Sequence, residues 1–120
     1  MSGPDVSVII VSWNTRDYLA RCLAAIPPAA GGLATEVIAV DNGSSDGTQA
    51  MLAGAFPGVR LIQNPDNVGF ARANNIGARV SRGRALLLLN SDCELGPGAL
   101  RAMVGELDRD GSLGGVFCRL

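Results

Sequence analysis

A buried strand, a polar turn and the start of a helix follow one another in residues 36–48, which read Glu36-Val37-Ile38-Ala39-Val40-Asp41-Asn42-Gly43-Ser44-Ser45-Asp46-Gly47-Thr48. An apolar run that ends in turn residues is typical of a strand buried on both faces of a parallel sheet. The turn contains two glycines, and its serines or Asp46 can cap a helix that reaches about Ala55. The stretch therefore predicts a strand–turn–helix unit.

The same alternation of strand and helix continues on both sides of this unit. Upstream, residues 6–11 form a β-branched run, and a helix from residue 14 or 15 reaches about Ile26, where Pro27-Pro28 is expected to end it. Downstream, the pattern predicts strands at 59–63 and 85–89, helices at about 70–81 and 97–107, and the opening of a fifth strand at 115–118. This order predicts one domain over residues 1–120. The expected fold class is α/β, a doubly wound, mainly parallel, Rossmann-like sheet with helices on both faces.

Three aromatic side chains are expected to pack in the interior. Tyr18 lies on the apolar stripe of the first predicted helix, together with Leu19 and Cys22. Phe70 is placed on the inward face of the 70–81 helix. For Trp13, which follows the first strand, packing is favoured over stacking on a ligand base.

The composition excludes several classes of function. The 120 residues are 48% hydrophobic and carry a net charge of -1, which gives no reason to expect a nucleic-acid partner. The absence of His and Lys excludes Ser-His-Asp chemistry, imidazole metal ligands and the P-loop lysine. Cys22, Cys93 and Cys118 have no paired spacing for zinc or a disulfide framework. Any metal is therefore expected among oxygen ligands, as Mg or Mn.

Polar residues follow three of the predicted strands, at the edge where doubly wound sheets bind ligands. Asp41 ends its strand and is expected to point into the crevice, where it can accept hydrogen bonds from a base N–H or a ribose hydroxyl. Ser12, at the tip of the first strand, is placed against the base. Asn90-Ser91-Asp92 follows four leucines, and Asp92 is the candidate ligand of a divalent cation shared with phosphate oxygens. A capped loop and an Asx-type turn without a ligand remain the alternatives.

A third polar cluster occupies residues 67–77. Gly69 precedes a helix whose free N–H groups can face a phosphate. Helical spacing places Arg72, Asn75 and Arg79 along one stripe. Arg72 is a candidate for pairing with a diphosphate, although a solvated arginine is the alternative, and Asn75 is a candidate because two adjacent asparagines are unfavourable inside a helix.

Together these pieces resemble glycosyltransferase family 2. The resemblance covers nearly the whole chain and rests on four motifs in order: Val11-Ser12-Trp13-Asn14, residues 41–48, residues 67–77 and Leu88-Leu89-Asn90-Ser91-Asp92. Each motif alone is weakly specific, but their order and spacing are highly specific. The segments are most similar to the rhamnosyltransferase-like branch, whose members build bacterial surface polysaccharides.

The resemblance implies the nucleotide-sugar-binding half of a GT-A fold, truncated before the acceptor-binding half. Ser12 would lie against the base and Asp41 would recognise base or ribose, with Arg72 and Asn75 as further nucleotide contacts. Asn90 and Asp92 match the outer positions of the family's D-x-D motif, in which Asp92 would hold Mg or Mn on the donor diphosphate. Asn90 replaces the first Asp of that motif, so one anionic ligand is lost.

The resemblance also implies an activity and its partners. Family members are inverting enzymes that transfer a sugar from a UDP- or dTDP-sugar to an acceptor hydroxyl, here a saccharide or lipid-linked acceptor. Their general base lies in the acceptor-binding half, beyond residue 120, so these residues are expected to bind donor and transfer little or no sugar. The expected location is cytoplasmic, peripheral at the inner face of the membrane in the full-length protein.

Three other readings are weighed against this one. A dinucleotide-dependent oxidoreductase needs Gly-x-Gly-x-x-Gly after the first strand, where this chain has Ser12-Trp13-Asn14-Thr15. A sugar-nucleotide pyrophosphorylase needs a glycine-rich first loop followed by Lys, which is also missing. A non-catalytic nucleotide-binding or interaction module with a vestigial site stays open.

Overall fold

The computed structural model describes residues 3–109, in which four strands alternate with four helices. The elements are β1 Val6–Ser12, α1 Arg16–Ala30, β2 Thr35–Asp41, α2 Thr48–Ala55, β3 Arg60–Gln63, α3 Phe70–Val80, β4 Ala85–Asn90 and α4 Ala99–Arg109. All strand pairs are parallel, in the order β3-β2-β1-β4. The predicted α/β fold class is confirmed. The predicted strand at 115–118 lies outside the described residues.

Helices cover both faces of the sheet and create two cores. The larger core joins one face of the sheet to α1, α2 and α4. The smaller core joins the other face to α3, and its buried members are Ile9, Val11, Ile38, Val40 and Ala73. β1 has all seven residues buried because it lies inside the sheet and between these two layers. A continuous apolar run without alternation is the sequence signature of such a position.

The strand order places the loops after β1, β2 and β4 next to one another. Ser12 at the end of β1 pairs with Asp41 at the end of β2, and Val11 pairs with Asn90 at the end of β4. From β1 the chain moves outward to β2 and β3, and then returns to the other side of β1 to form β4. Ligands of doubly wound sheets bind at this kind of switch, beyond the carboxyl ends of the strands.

One helix boundary differs from the prediction. Pro27 and Pro28 lie inside α1, which continues to Ala30 and ends at Gly31 in the left-handed conformation (φ 54°). Each proline removes a helical hydrogen bond, but both rings are exposed. The next two residues, Ala29 and Ala30, are buried in the larger core. Their burial favours one further helical turn, which propensity alone does not predict.

Close packing at Gly77 fixes α3 against the sheet. A Cβ at this position would lie 2.6 Å from Ile9 Cγ2 and 3.1 Å from Val40 Cγ2. The glycine therefore permits an approach that alanine would not, and it sets the position of the amino end of α3 above the strand ends. No helix within residues 3–109 is long and apolar enough to cross a membrane.

Candidate functional site

An open pocket of about 550 Å³ lies across the carboxyl ends of the strands. Side chains from the loops after β1, β2 and β4 line it, together with the first turns of α1 and α3. The lining residues are Val11, Trp13, Thr15, Tyr18, Asn42, Asn67, Phe70, Asn90, Ser91 and Asp92. Its volume is within the range of small-molecule and cofactor sites. Asp92 is the single acidic residue among these lining residues, and none of them is basic.

Asp41 lies beneath the pocket, where protein groups donate hydrogen bonds to both of its oxygens. The residue is fully buried and does not line the pocket. Oδ1 accepts hydrogen bonds from the hydroxyls of Ser12 at 2.9 Å and Ser44 at 2.6 Å. Oδ2 accepts them from Ser44 N at 2.9 Å and from the amides of Gln63 at 2.8 Å and Gln49 at 3.2 Å. Asp41 and Ser12 therefore hold the loop below the pocket through these hydrogen bonds, and their contacts with a base or ribose stay predictions.

The hydrogen bonds to Asp41 favour its ionised form. Burial raises the pKa of this carboxyl, but hydrogen bonds from Ser44, Gln63 and Ser12 lower it more, so the pKa lies below its ordinary value. Asp46 follows the same pattern, because bonds from Thr48 and the Arg16 N–H outweigh its burial and hold its pKa low. Both carboxylates thus serve as fixed acceptors that hold the turn between β2 and α2.

Asn42, the residue after Asp41, reaches the pocket wall. Its Nδ2 donates to the Gly69 carbonyl at 3.3 Å, and its Oδ1 accepts a hydrogen bond from Asn64 Nδ2 at 2.9 Å. These bonds join the loop after β2 to the start of α3 and fix the orientation of the amide. An amide has two N–H donors and an acceptor with two lone pairs, so one of each is left over by these two bonds. Asn42 is 2% exposed, so a ligand could reach it only from the small surface that lines the pocket.

Asn14 holds the loop after β1 and presents Trp13 to the pocket. It adopts a left-handed backbone (φ 54°), which asparagine tolerates better than most residues. Its N–H donates to Ser44 Oγ at 2.8 Å, and its Oδ1 accepts from Ser45 N at 2.8 Å. Trp13 is 52% exposed on the pocket wall, so the expectation that it packs in the interior is wrong.

The loop after β4 forms the opposite wall of the pocket. Thr15 Oγ1 donates to Ser91 Oγ at 3.1 Å and so connects this loop to the start of α1. Cys22 Sγ lies 3.7 Å from the Asn90 carbonyl, and burial raises the pKa of this thiol to about 12. Asp92 is exposed, and no hydrogen bond or ion pair to its carboxylate is found among residues 3–109. This carboxylate is available to a ligand.

Two further aromatic rings line the pocket and were expected to be buried. Tyr18 is 54% exposed and Phe70 is 58% exposed. Both predictions are wrong for the same reason. Each residue is in the first turn of a helix, at the sheet edge, where the helix extends past the ends of the strands and finds no core to pack against.

The six predicted site residues fall into three places. Asn90 and Asp92 line the pocket, as expected from their position after β4. Ser12 and Asp41 lie beneath it. Arg72 and Asn75 line a different groove of about 560 Å³ with Val68, Ile76 and Arg79, so the predicted stripe exists but does not border the pocket.

Sequence reasoning missed the contributions of Asn42, Asn67, Tyr18 and Phe70 to the pocket. Asn42 is adjacent to Asp41, and alternation along β2 is uninformative because both faces of the strand are buried. The positions of Tyr18 and Phe70 could have indicated the pocket, because each residue lies in the first turn of a helix that follows a strand.

A divalent cation fits the loop after β4 only if a bound ligand supplies some of its coordinating oxygens. Asp92 supplies one free carboxylate, and the neighbouring Asn90 amide and Ser91 hydroxyl add neutral oxygens. Within residues 3–109 no group of three or more His, Cys, Asp or Glu side chains could hold a metal. Mg and Mn need about six oxygen ligands, so a phosphate-bearing ligand and water would have to complete the shell.

A parallel α/β sheet with a polar pocket across its carboxyl edge defines a nucleotide-binding class of fold. Comparison with known families narrows this class. The model for Glycosyl transferase family 2 matches residues 7–119, and the chain belongs to that family. The predicted family is therefore confirmed.

Individual relatives and solved structures agree with this assignment. The chain is 36% identical over 110 residues to the succinoglycan biosynthesis protein ExoO of Rhizobium meliloti (strain 1021), covering 91% of this chain and 31% of ExoO. It is 30% identical over 117 residues to an N-acetylglucosaminyl-diphospho-decaprenol L-rhamnosyltransferase of Mycobacterium tuberculosis, covering 85% and 36% of the two chains. The structure of S. aureus TarS 1-349 in complex with UDP matches with a TM-score of 0.74 at 22% identity, over 91% and 32% of the chains. The last match shows the GT-A fold, and this chain spans about a third of these proteins.

Proposed function

We propose that this chain forms the donor-binding part of an inverting glycosyltransferase that uses a UDP- or dTDP-sugar. The observation that carries the proposal is the pocket at the strand ends. It combines a free carboxylate at Asp92, an oriented amide at Asn42 and exposed aromatic rings. Each of these groups suits one part of a nucleoside diphosphate: ring surface and an amide for the base, and a cation-binding carboxylate for the diphosphate.

The chain's own residues have separate tasks in the proposed reaction. Trp13 and Phe70 offer ring surface to the base, and Asn42 offers one donor and one acceptor to its polar edge. Asp92 holds the diphosphate end through a shared cation, with Asn90 and Ser91 beside it. When Mg or Mn is bound, it neutralises charge that develops on the leaving diphosphate.

Inversion is proposed from membership of glycosyltransferase family 2, since the members that this chain resembles are inverting enzymes. In such a reaction an acceptor hydroxyl attacks the anomeric carbon of the sugar, and the bond to the nucleoside diphosphate breaks in the same displacement. Asp92 is proposed to act on the leaving diphosphate through the cation and not as a nucleophile.

The base that deprotonates the acceptor is proposed to lie outside the described residues. The chain spans about a third of its relatives, and Asp92 cannot both hold the cation and accept the acceptor's proton. Residues 3–109 are therefore expected to bind donor and to transfer little or no sugar. A saccharide or lipid-linked acceptor and a role in bacterial polysaccharide or envelope synthesis are proposed on the basis of relatives such as ExoO.

The proposed donor also indicates a location. A nucleotide sugar carries two phosphate charges and does not cross a bilayer unaided. We therefore propose a cytoplasmic protein that is peripheral at the inner face of the membrane when its acceptor is lipid-linked.

Calorimetric titration tests the proposal. UDP and dTDP are titrated into the protein with and without Mn²⁺, and one of them is expected to bind with an affinity that rises when Mn²⁺ is present. GDP is the matched control because its purine base is larger, and it is expected to bind more weakly. If neither pyrimidine nucleotide binds, or if Mn²⁺ changes nothing, the proposal fails and a non-catalytic module with a vestigial site is favoured.

A further inference from the structure

Exposed aromatic residues are concentrated at the pocket. The described part of the chain contains four aromatic residues, and three of them, Trp13, Tyr18 and Phe70, line the pocket with more than half of their surface exposed. Only Phe56 packs against a core. Aromatic rings that line a pocket offer flat apolar surface to a bound molecule, so the three rings are candidates to contact different groups of one ligand.

These rings belong to two different sides of the pocket. Phe70 starts α3, and Asn42 contacts the adjacent Gly69 carbonyl, which places both on the side of β2. Tyr18 belongs to α1, which packs on the opposite face of the sheet from α3. The first turn of α1 is tied to the loop after β4 by the hydrogen bond between Thr15 and Ser91. The pocket thus has a β2 side and a β4 side.

Tyr18 lies near the end of β4. Cys22, one helical turn later on the same face of α1, contacts the Asn90 carbonyl at the last residue of that strand. Because α1 begins at the carboxyl edge of the sheet, Tyr18 lies four residues, about 6 Å, further out along the helix axis than Cys22. Tyr18, Ser91 and Asp92 all line the pocket. The Arg21 guanidinium lies 5.1 Å from the Tyr18 ring centroid, so it covers one ring face and steadies the ring.

We propose that the open face of Tyr18 packs against the sugar ring of the donor and contributes to the choice of that sugar. This inference rests on the proposed function. With the base on the β2 side and the diphosphate at Asp92, the sugar is the next group along the donor, and Tyr18 is the aromatic ring on that side. One face of a pyranose carries mainly C–H groups, which pack on an aromatic ring, while the phenol hydroxyl can bond a sugar hydroxyl.

The test measures the contribution of the sugar to the binding affinity separately from that of the nucleotide. Dissociation constants are measured for UDP, UDP-glucose, dTDP and dTDP-rhamnose, with Mn²⁺, for the wild type and for Tyr18→Ala, Tyr18→Phe and Phe70→Ala. Tyr18→Ala is expected to weaken the nucleotide-sugar that binds best by about threefold to tenfold and to leave the matching nucleotide unchanged. Tyr18→Phe keeps the ring and is expected to retain most of the sugar affinity, whereas Phe70→Ala weakens nucleotide and nucleotide-sugar equally.

A second readout does not depend on a variant. Tyr18 is the single tyrosine of the chain, so its ring signals in an NMR spectrum need no assignment by mutation. They are expected to shift further with the nucleotide-sugar than with the nucleotide alone. An equal loss of UDP and UDP-sugar affinity in Tyr18→Ala, or an unchanged ratio for every pair, would overturn the role of Tyr18 and leave the nucleotide site intact. Absence of all nucleotide binding in the wild type would instead overturn the proposed function.

Discussion

The loops after β2 and β4 both contain an aspartate, yet the two carboxylates have opposite surroundings. Asp41 is fully buried and accepts five hydrogen bonds from four residues. Asp92 is exposed on the pocket wall, with no hydrogen-bond or ion-pair partner found within residues 3–109. A carboxylate whose lone pairs are all satisfied by the protein stabilises structure, and one with unsatisfied lone pairs is free to bind a ligand. The difference supports a structural role for Asp41 and the binding role that we propose for Asp92.

The largest expected effect is on stability at Asp41. In Asp41→Asn an NH₂ group replaces one oxygen and faces donors from buried Ser44 or from Gln63, so these donors lose their acceptor. We expect the free energy of unfolding to fall by about 3 kcal/mol, as for other disrupted buried hydrogen bonds to a charge. Urea denaturation followed by circular dichroism measures it. Asp66→Asn, at an exposed position, is the control, and equal stability of the two variants would contradict the structural role.

At Asp92 we expect a substitution to lower ligand affinity and to leave stability unchanged. Asp92→Asn removes the proposed ligand of the shared cation but no hydrogen bond found within residues 3–109, so the urea midpoint is expected to stay at the wild-type value. Affinity for UDP or dTDP in the presence of Mn²⁺ is expected to fall by about tenfold or more, equivalent to about 1.4 kcal/mol. Glu94→Gln, two residues along and exposed, changes the same charge outside the pocket. Equal affinities of these two variants, measured by calorimetry, would contradict a role of Asp92 in binding.

A substitution that is expected to strengthen nucleotide binding gives a further test of the site at Asp92. Asn90→Asp adds a second carboxylate beside Asp92 and is expected to tighten Mn²⁺-dependent nucleotide binding by up to about tenfold, because hard cations favour anionic oxygens. Asn67→Asp adds the same charge on the other side of the pocket and serves as the control. A tighter complex in both variants, or in neither, would argue against a cation site at the end of β4. Isothermal titration at fixed Mn²⁺ distinguishes these outcomes.

The smallest expected effect is a change in acid stability. The pKa of Asp41 is lower in the folded protein than its ordinary value, so its stabilisation is present above the unfolded pKa, about 3.9, and is lost as pH falls through the folded pKa. In Asp41→Asn this group no longer titrates, and the decline of stability on acidification is expected to be shallower. The remaining decline comes from groups such as Glu36 and Asp46, whose pKa values are also lowered. Urea midpoints between neutral and acidic pH measure the slope, and identical slopes would contradict the assignment.

The sheet was predictable because its strands are continuous apolar runs. β1, β2 and β4 begin and end within one residue of the predicted positions, since each is a run of apolar residues that ends abruptly in polar ones. Burial on both faces explains this run in β1. β4 lies at the edge of the described sheet, and its Leu86 and Leu88 are exposed. The end of α1 was not predictable, because the burial of Ala29 and Ala30 against distant elements outweighs the two prolines.

Part of the site was predictable and part was not. The sequence indicated the loops that meet at the pocket, since parallel strands bring their carboxyl ends to one edge. The sequence did not show that Asn42 lines the pocket whereas Asp41 is buried below it. The burial of Asp41 depends on hydrogen bonds from Gln49 and Gln63, which belong to α2 and β3. It also assigned Trp13, Tyr18 and Phe70 to the interior, because hydrophobicity does not distinguish a ring that packs in a core from a ring that is exposed on a pocket wall.

Trp13 offers the most direct measurement of the central claim, that the pocket at the strand ends binds a nucleoside diphosphate through Asp92. It is the single tryptophan of the chain and is half exposed on the pocket wall, so its fluorescence reports on the site alone. Titration with UDP or dTDP plus Mn²⁺ is predicted to quench this emission to a plateau in the wild type, and to require a concentration about tenfold higher in Asp92→Asn. Emission that does not respond to either nucleotide, or that responds identically in the two proteins, would contradict the account.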